Sequence, residues 1–414
     1  MLKRLRASAT DGQLRQRLAC RTAPARRFRI VRDATVGSVE AFWRRLRAET
    51  AASADDEAAL ADPATRASLT RYAANIENMI GTVKLPVGLA GPLRINGTHA
   101  NGDYLVPLAT TEAALVASYA RGAEIITAAG GASAALAHDG VWRSPGFAFG
   151  SLLDAGLFIE WVAGNAAALK AAAESTTRHG KLVALEPVID DNVVFLLCRY
   201  ETGDAAGQNM VTIATDALCR HLVAHVPVKP LYWFIEANLS GDKKASYLGM
   251  VRGRGRKVTA SVVLERALVE RRLHTTVERM LDYARMANLG ALLSGQMGAQ
   301  GHYANGLAAL YLATGQDAAC VAESAVGYTR MEGHNGDLRV SVTLPNILVG
   351  SVGGGTGLPS QSAGLAILGL AGTGKAAALA EVAAVLCLAG EISIIGAIAA
   401  GHFARAHELL ARRR

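Results

Sequence analysis

The sequence predicts an α+β protein in which a compact module is inserted into a larger domain. Two strand-like runs, 193–200 and 231–235, alternate with helical patterns at 152–176 and 209–223. Strands that alternate with helices over roughly 90 residues are typical of such a module. The chain is 51% hydrophobic, largely through alanine and glycine, and only 5% aromatic. This composition favours closely packed helices over a β-sandwich.

The other elements are predicted in chain order from periodicity and from turn formers. With 414 residues the chain is too long for one ordinary core, so two or three domains are expected. Helical periodicity over 36–72 predicts a helical N-terminal region, and the Gly- and Pro-rich text of 77–93 predicts an extended segment with turns. Thr110 and Thr111 predict a helix start, and 338–344 predicts a strand.

The mean hydropathy of the whole chain is +0.21, so a membrane span has to be considered. The candidate is the last long apolar segment, 376–401. Glu381 and Glu391 interrupt this segment, and no stretch of about 20 apolar residues lacks a charge or a turn former. The segment therefore predicts a buried helix. The basic N-terminus lacks the apolar core of a signal peptide, so a cytoplasmic protein without membrane contact is expected.

The charge and cysteine content exclude several classes of function. The net charge is +8 and the pI is near 9.4, but aromatic interleaving, a basic recognition helix and zinc-ligand spacing are missing, which argues against a nucleic-acid partner. The five cysteines are scattered without CxxC pairs, which predicts neither a disulfide framework nor a zinc site. Cys198 and Cys387 lie in apolar runs and are expected in the core.

Four distant segments each place ionisable groups among small or apolar residues. Burying a charge costs several kcal/mol unless it is paired, so such groups are usually matched or functional. The groups are Glu112, the pair Lys243 and Lys244, Asp317, and the histidines of GHFARAH, His402 and His407. Together they can donate protons and hold an oxyanion, as an enzyme requires.

Each group also has a simpler interpretation. Glu112 could cap a helix start and Asp317 could cap a turn, whereas His402 is best explained as a structural histidine at the end of the final helix. His407 lies where a proton donor could close over a substrate. The run from Gly369 to Lys375 has P-loop spacing, but Ala376 replaces the magnesium-binding Ser/Thr, so a plain loop is predicted. Gly350 to Gly357 only loosely matches a dinucleotide fingerprint.

Seven motifs in order resemble the hydroxymethylglutaryl-CoA reductase family, in its biosynthetic, class I-like form, over about residues 77–407. They are ENMIGTVKLPVGLAGPL, PLATTEAALVAS, GDAAGQNM, SGDKKA, GQDAA, LPNILVGSVGGGTGLPSQ and GEISIIGAIAAGH. The resemblance implies a soluble catalytic portion with a helical N-terminal region (1–70), a large α/β domain around a long central helix (71–144 and 239–414), and an inserted ferredoxin-like cofactor domain (145–238).

The resemblance also implies a role for individual residues. Glu112 matches the acid, Lys243 the oxyanion-binding lysine, Asp317 the buried aspartate and His407 the thiol-protonating histidine. The positions that match substrate contacts are Arg143, Ser240, Asp242, Lys244 and Asn305, together with Ser118 and Arg121 on a helix facing CoA. The positions that match cofactor contacts are Arg178, Asp204, Gly207, Asn209, Met210, Val352 and Gly353, and Arg178 argues for NADPH over NADH.

The implied reaction is the reduction of hydroxymethylglutaryl-CoA by NADPH to mevalonate, the isoprenoid precursor, and free CoA. Two hydride additions each build negative charge on an oxygen, which a fixed cation stabilises, and the expelled thiolate needs a proton. No metal is required. The implied assembly is a homodimer or homotetramer with the active site at the dimer interface, where His407 and the cofactor domain come from the neighbouring chain.

Three positions depart from the family pattern. Ala120 and Glu124 stand where an asparagine and an arginine are usual near CoA, and Ala287 where a substrate-facing lysine is usual. A different acyl thioester, such as a carrier-protein-bound one, therefore stays open as substrate. A non-catalytic binding paralogue is a third hypothesis, which the complete set of four catalytic residues disfavours.

Overall fold

The computed structural model describes residues 9–19 and 30–402, and the chain divides into two units, residues 1–82 and 83–414. The first unit is helical in its described part. Its helices are α1 (Asp11–Leu18), α2 (Val36–Glu49), α3 (Ala54–Leu60), α4 (Pro63–Ala67) and α5 (Leu69–Tyr72). The helical periodicity of 36–72 is thus confirmed, although it is divided among four helices.

The first unit has a small core of its own around Trp43. Val39, Leu69 and Met79 are buried with this ring, and the indole N–H donates to the carbonyl of Ile80 at 2.7 Å. The indole therefore packs its apolar body inside while its one polar atom is satisfied. Capping boxes at Thr35 and Ser53 fix where α2 and α3 begin.

The second unit contains a mixed sheet of eleven strands in its described residues. The strands are β1 (Val87–Gly97), β2 (Asn101–Ala109), β3 (Ala132–Arg143), β4 (Gly146–Ala148), β5 (Lys181–Asp190), β6 (Val193–Glu201), β7 (Tyr232–Phe234), β8 (Gly255–Leu264), β9 (Gly298–Ala299), β10 (Gly327–His334) and β11 (Asp337–Ile347). The longest path through it runs β7-β4-β6-β3-β8-β11-β10-β9, with β2 and β1 branching from β3 and β5 from β6. The expected strand at 338–344 is confirmed within β11.

Helices cover this sheet. They are α6 (Leu115–Ala128), α7 (Leu152–Gly164), α8 (Ala166–Glu174), α9 (Gln208–His225), α10 (Tyr247–Arg252), α11 (Arg266–Leu273), α12 (Val277–Ser294), α13 (Tyr303–Thr314), α14 (Val321–Ser324), α15 (Pro359–Leu368) and α16 (Ala376–Ala399). Two 3₁₀ turns, Ala318–Cys320 and Gly354–Gly357, complete the described elements.

Strand β3 joins two parts of the sheet. Its first part pairs with β8 from Ser133 to Gly140, and its last three residues pair with β6. Beyond this junction the elements follow the order β4-α7-α8-β5-β6-α9-β7, and the strands lie side by side as β7-β4-β6-β5 with every neighbouring pair antiparallel. The expected alternation of strands and helices is confirmed, but the short β4 and the charged β5 were not foreseen.

The long helix α16 is the core helix of the second unit. It is long and apolar enough to cross a membrane, yet 89% of its most apolar window is buried inside the protein. Among the described residues only the helix pair α7 and α8, which is bent by 70°, passes the same test as a combined segment. The prediction of a buried helix over this segment is therefore confirmed.

Both glutamates of α16 are fully buried and fully engaged. Glu381 accepts hydrogen bonds from the Thr98 hydroxyl and from the backbone N–H groups of His99 and Ala100, at 2.9 and 2.7 Å, in the turn between β1 and β2. Glu391 accepts from the N–H groups of Gly301 and His302 just before α13. These bonds compensate the cost of burying a carboxylate and fix two loops against the helix.

Helix α6 crosses α16 at a glycine. A Cβ atom on Gly122 would lie 1.9 Å from the carbonyl oxygen of Ala389, so the two backbones are in direct contact there. The helix begins at Leu115, five residues after the predicted start at Thr110, because β2 extends to Ala109 and Ala114 adopts a left-handed conformation before the first turn.

We expect Gly122→Ala to lower the free energy of unfolding by roughly 1–3 kcal/mol, because the added methyl group overpacks the contact with Ala389. Gly156→Ala, in the interior of α7 with open space around it, should raise it by about 0.5–1 kcal/mol through the lower entropy of the unfolded chain. Urea denaturation of both variants checks the pair. Equal shifts of the same sign would contradict the proposed helix contact.

Candidate active site

Lys243 and Asp317 form a direct ion pair. Lys243 lies in the loop between β7 and α10, and its Nζ is 2.7 Å from Oδ2 of Asp317, which follows α13. The other oxygen of Asp317 accepts the backbone N–H of Ala319 at 3.0 Å and so caps the 3₁₀ turn. The capping interpretation and the pairing with an ammonium are therefore both correct for this aspartate.

The pair is only partly enclosed, so the expectation of a buried aspartate at Asp317 is not met in the described part of the chain. About two fifths of each side chain is exposed, 41% for Lys243 and 43% for Asp317. The hydrogen bond to Asp317 raises the pKa of Lys243, and its Coulombic attraction adds to this, while partial burial acts in the opposite direction. The result is a fixed ammonium that stays charged at neutral pH and is accessible to a bound molecule.

A second, deeper ion pair lies beneath the loop. Arg254 and Glu323 are 2% and 1% exposed, and the Nη1 atom of Arg254 donates to both carboxylate oxygens at 2.8 and 2.7 Å. Glu323 also accepts the backbone N–H of Lys243 at 3.1 Å. The Nη2 atom of Arg254 lies 3.0 Å from Oδ1 of Asp242 and donates to the amide oxygen of Gln208, the first residue of α9.

Four of the five residues expected to hold the acyl group of the substrate form one cluster around Asp242, whereas the fifth, Asn305, contacts Glu112 instead. Arg143 is 3.1 Å from both Asp242 and Glu236, and Ser240 donates its hydroxyl hydrogen to Glu236 at 3.0 Å. Lys244 donates to the carbonyl of Asp242 at 2.9 Å. The structure therefore brings these residues together beside Lys243, with their charges balanced by Glu236, which the sequence did not indicate.

Glu112 and Asn305 form a separate pair. The Asn305 amide donates to Oε1 of Glu112 at 3.2 Å, and both residues line a cavity of about 600 Å³. Glu112 is exposed and precedes α6, whose N-cap position is Ala114 without a side-chain cap. The capping interpretation of Glu112 is therefore wrong. Among the described residues no hydrogen bond or ion pair connects Glu112 to Lys243 or Asp317.

The two residues of α6 that are expected to face CoA form hydrogen bonds with α16. Ser118 and Arg121 line the same cavity, but the Ser118 hydroxyl lies 2.9 Å from the hydroxyl of Ser393, and Arg121 donates to the hydroxyl and the carbonyl of Ser393 at 2.8 and 2.7 Å. Ala287 lines an adjoining cavity of about 270 Å³ instead. Ser118 and Arg121, both on α6, therefore help to fix one wall of the larger cavity.

The residues expected to bind the cofactor converge at the start of α9. The carbonyl of Asp204 accepts the N–H of Val352 at 3.3 Å, which places the two predicted cofactor segments side by side. Gly207 precedes α9 in the left-handed region with a φ of 77°, where an added Cβ would collide with Thr202. Gly353 also has a positive φ, of 74°. The 18-residue helix α9 has no side-chain cap, so its first-turn N–H groups are not engaged by a cap.

The other predicted cofactor residues flank this helix start. Met210 receives a hydrogen bond at its sulfur from the hydroxyl of Thr177, the residue before Arg178, and Asn209 is exposed in the first turn of α9. The structure therefore places the loop that carries Arg178 next to α9.

The carboxylate of Asp204 has a structural partner. It accepts the N–H groups of Gly374 and Ala376 at 2.7 and 3.2 Å, at the start of α16. Burial alone would raise the pKa of Asp204, but these backbone hydrogen bonds outweigh it and lower the pKa. The run from Gly369 to Lys375 is thus a loop whose N–H groups bind a side chain of the protein, which confirms that it is not a P-loop.

The histidine predictions have different outcomes. His402 is exposed beyond the end of α16, and its ring centroid lies 6.2 Å from that of His274. His407 lies outside the described residues, so its proposed role as proton donor stays a prediction. Within residues 9–19 and 30–402, no group of three or more histidine, cysteine, aspartate or glutamate side chains is arranged to hold a metal ion.

Arg254, Glu323, Glu236 and Gln208 were missed at the sequence level. One signal was available, because Arg254 directly precedes the apolar strand β8 and Arg256 lies at its start, where an arginine needs a buried partner. No comparable signal marks Glu323 or Glu236. The contacts of Glu323 with Lys243 and of Glu236 with Arg143 join segments that are distant in the sequence.

Together, the fold and the site define an α+β protein with a fixed ammonium–carboxylate pair beside a polar cluster and an uncapped helix start. The family model described as hydroxymethylglutaryl-coenzyme A reductase matches residues 43–412. The chain belongs to this family.

Named relatives agree with this assignment. The 3-hydroxy-3-methylglutaryl-coenzyme A reductase of Methanothermobacter thermautotrophicus is 46% identical over 344 residues, which cover 82% of this chain and 85% of the relative. The enzyme of the same name from Aeropyrum pernix is 45% identical over 347 residues, 82% of each chain. The resemblance of the motifs to this family is thereby confirmed.

A solved structure supports the fold. The class II 3-hydroxy-3-methylglutaryl-CoA reductase of Streptococcus pneumoniae, bound to NADPH in open conformations, has a TM-score of 0.64 and covers 88% of this chain and 99% of its own. Because the identity is 21%, this similarity bears on the fold alone. The class I-like form of the present chain stays a prediction.

We expect Asp317→Asn to lower the pKa of Lys243, because the substitution removes the charged acceptor that raises this pKa most. The pH dependence of the acetylation rate of Lys243, followed by mass spectrometry, should therefore move to lower pH. Asp282→Asn, which alters an exposed pair with Arg285, is the matched control and should leave the curve in place. An unmoved curve in Asp317→Asn would contradict the pairing.

Proposed function

We propose that the chain reduces hydroxymethylglutaryl-CoA with NADPH to mevalonate and free CoA. The ion pair of Lys243 and Asp317, in a member of this family, is the observation that carries the proposal. Bound NADPH supplies one hydride in each of two successive reductions. The protein provides the positive charge, the protons and the enclosed site that these reductions need.

Lys243 is the proposed oxyanion-binding group. Each hydride addition converts a carbonyl oxygen into an alkoxide or a hemithioacetal oxyanion, and an ammonium fixed before the reaction stabilises that charge without reorganisation. Asp317 keeps the ammonium charged and limits its movement, because its carboxylate is held by the Ala319 N–H as well. Lys243 therefore acts on the oxygen, and Asp317 positions Lys243.

Glu112 and His407 are the proposed proton donors. Glu112 lines the large cavity, and its contact with Asn305 orients one carboxylate oxygen and leaves the other for a substrate oxygen. A thiol with a pKa near ~8.5 leaves as thiolate and can re-add to the aldehyde, whereas a histidine that titrates near ~6.5 can protonate it. We assign that proton to His407.

The substrate has two proposed sites of contact. Arg143, Ser240, Asp242 and Lys244 are close enough to Lys243 to hold the hydroxymethylglutaryl part, provided that Glu236 releases Arg143 or Ser240. Ser118 and Arg121 line the cavity that we assign to CoA. The cavity volume of about 600 Å³ falls within the usual range for a ligand pocket, roughly 300–1,000 Å³.

The module from β4 to β7 is the proposed cofactor domain. Its element order and its antiparallel strand order match a ferredoxin-like fold, which is the form expected for residues 145–238. The uncapped start of α9 suits a phosphate group, and we assign the 2′-phosphate that distinguishes NADPH to Arg178, whose neighbour Thr177 contacts Met210 of α9. We propose residues 1–70 as the helical N-terminal region, and residues 71–144 together with 239–414 as the large domain.

A second copy of the chain is proposed to complete the site. Glu112 with Asn305 and Lys243 with Asp317 form two pairs that no hydrogen bond or ion pair connects within the described part of one chain. In addition, α12 presents an apolar surface at Met286, Leu289 and Leu293, which are 57–79% exposed. Apolar faces of this kind mark interfaces. We propose a homodimer, alone or within a homotetramer, that acts in the cytoplasm.

A different acyl thioester is the second candidate substrate. The observation in its favour is Ala287, which leaves the wall of the smaller cavity without the lysine usual in the family, while Ala120 and Glu124 change the helix beside CoA. Oxidation of NADPH should be compared across CoA and carrier-protein thioesters at equal concentrations. Faster turnover of another thioester would replace the proposed substrate and leave the catalytic roles unchanged.

We expect the wild-type protein to oxidise two NADPH molecules for each hydroxymethylglutaryl-CoA consumed, with release of free CoA. Lys243→Ala should lower kcat by roughly 10²–10³-fold, because it removes the charge that stabilises the oxyanion. Lys170→Ala, an exposed lysine that pairs with Glu174, is the control and should retain full activity. Absorbance at the nicotinamide band follows the reaction. Folded wild-type protein that oxidises neither NADPH nor NADH would remove the assignment.

We expect a mixture of Lys243→Ala and His407→Ala chains to regain activity after dissociation and reassembly. If the site combines Lys243 of one chain with His407 of the other, each mixed dimer contains one intact site. Either variant alone should stay inactive, and size-exclusion chromatography with light scattering gives the assembly state. Failure to regain activity in confirmed mixed dimers would show that each site is built from one chain.

A further inference from the structure

The loop that carries Lys243 has a backbone conformation that side chains disfavour. Within residues 238–243 three residues have positive φ, namely Asn238 at 67°, Gly241 at 68° and Lys243 at 55°. Only one of them is a glycine. A side-chain-bearing residue stays in the left-handed region only where surrounding contacts determine it. The conformation of Lys243 therefore requires an anchor.

The local hydrogen bonds of the loop do not supply that anchor. The N–H of Gly241 donates to Asn238, that of Lys244 donates to Gly241, and that of Asp242 donates to the Ser240 hydroxyl. All of these partners lie within the loop. The N–H of Lys243 instead donates to a carboxylate oxygen of Glu323 at 3.1 Å, a residue 80 positions further along the chain.

Glu323 is a firm anchor because its own position is fixed. It is 1% exposed, and both of its oxygens bond to Arg254, which is 2% exposed. The same guanidinium lies 3.0 Å from the carboxylate of Asp242. One buried ion pair therefore holds two consecutive loop residues, Asp242 through its side chain and Lys243 through its backbone.

We propose that Glu323, fixed by Arg254, is a positioning residue that sets the backbone of Lys243 and thereby the location of its ammonium. The Lys243 side chain is 41% exposed, so packing alone restrains it weakly. The backbone position of Lys243 therefore determines where the side chain that ends in Nζ begins. A displacement of about 1 Å at a reacting group can cost roughly 10²-fold in rate. This inference rests on the proposed function of Lys243.

Glu323→Gln tests the proposal. The carboxamide keeps the size of the side chain, but it removes the negative charge that pairs with Arg254 and places an NH₂ donor where one of the two hydrogen-bond-accepting oxygens of Glu323 now lies. We expect kcat to fall by about 10–100-fold while KM for NADPH changes by less than about twofold. Glu381→Gln is the matched control: Glu381 is also fully buried and accepts backbone N–H groups, but in the turn between β1 and β2. Its kcat should change by less than about twofold.

A double variant separates positioning from a general loss of structure. If Glu323 acts through Lys243, adding Glu323→Gln to Lys243→Ala should lower kcat by less than about threefold further. If the role of Glu323 were only structural, Glu323→Gln would lower kcat by the same factor in the wild-type protein and in Lys243→Ala. That result would overturn the proposal.

Hydrogen exchange of the Lys243 amide keeps the two proposals distinguishable. We expect exchange at Lys243 to be faster in Glu323→Gln than in Glu381→Gln, whether or not the protein reduces the thioester. If the wild-type protein shows no reductase activity but the two variants still differ in exchange at Lys243, the proposed function is refuted and the anchoring role is retained. Equal exchange in the two variants would overturn the anchoring role itself.

Discussion

The buried ion pair of Arg254 and Glu323 connects the elements on which the candidate site depends. Through it the loop of Lys243, the start of α9 at Gln208 and the short helix α14 are joined by hydrogen bonds. Removing one partner of a buried pair typically costs about 3–5 kcal/mol, because the other charge is left without compensation. A pair of this kind adds little net stability compared with apolar side chains, so its contribution here is to fix geometry.

The same physical rule explains the long helix α16. Its sequence is apolar enough for a membrane span, and the two glutamates that interrupt it are the groups that hold the surrounding loops. The helix therefore organises the second unit through directional bonds as well as through its apolar surface, and Gly122 allows α6 to approach its backbone directly.

The sequence predicted local features better than long-range partners. Helices over 36–72 and 209–223, the strand at 338–344 and the buried final helix followed from periodicity, which depends on neighbouring residues. The start of α6 was placed five residues early, because the extent of β2 and the left-handed Ala114 depend on pairing with β1. The break at Asn165 divides one predicted helix into α7 and α8, and the Gly164-Asn165 pair, a common helix stop signal, was not used to predict it.

At the site, motif resemblance brought Lys243 and Asp317 together correctly, but it gave no indication of the groups behind them. Glu323 binds Lys243 80 positions away, Glu236 binds Arg143 93 positions away, and Gln208 binds Arg254 46 positions away, so no spacing rule could identify these contacts. Asp204 shows the converse case, because a residue that the motif assigned to the cofactor holds the first turn of α16. A side chain can belong to a functional motif and still have its carboxylate engaged by the fold. The loop of Asp204 therefore connects two helix starts, that of α9, which Gly207 precedes, and that of α16.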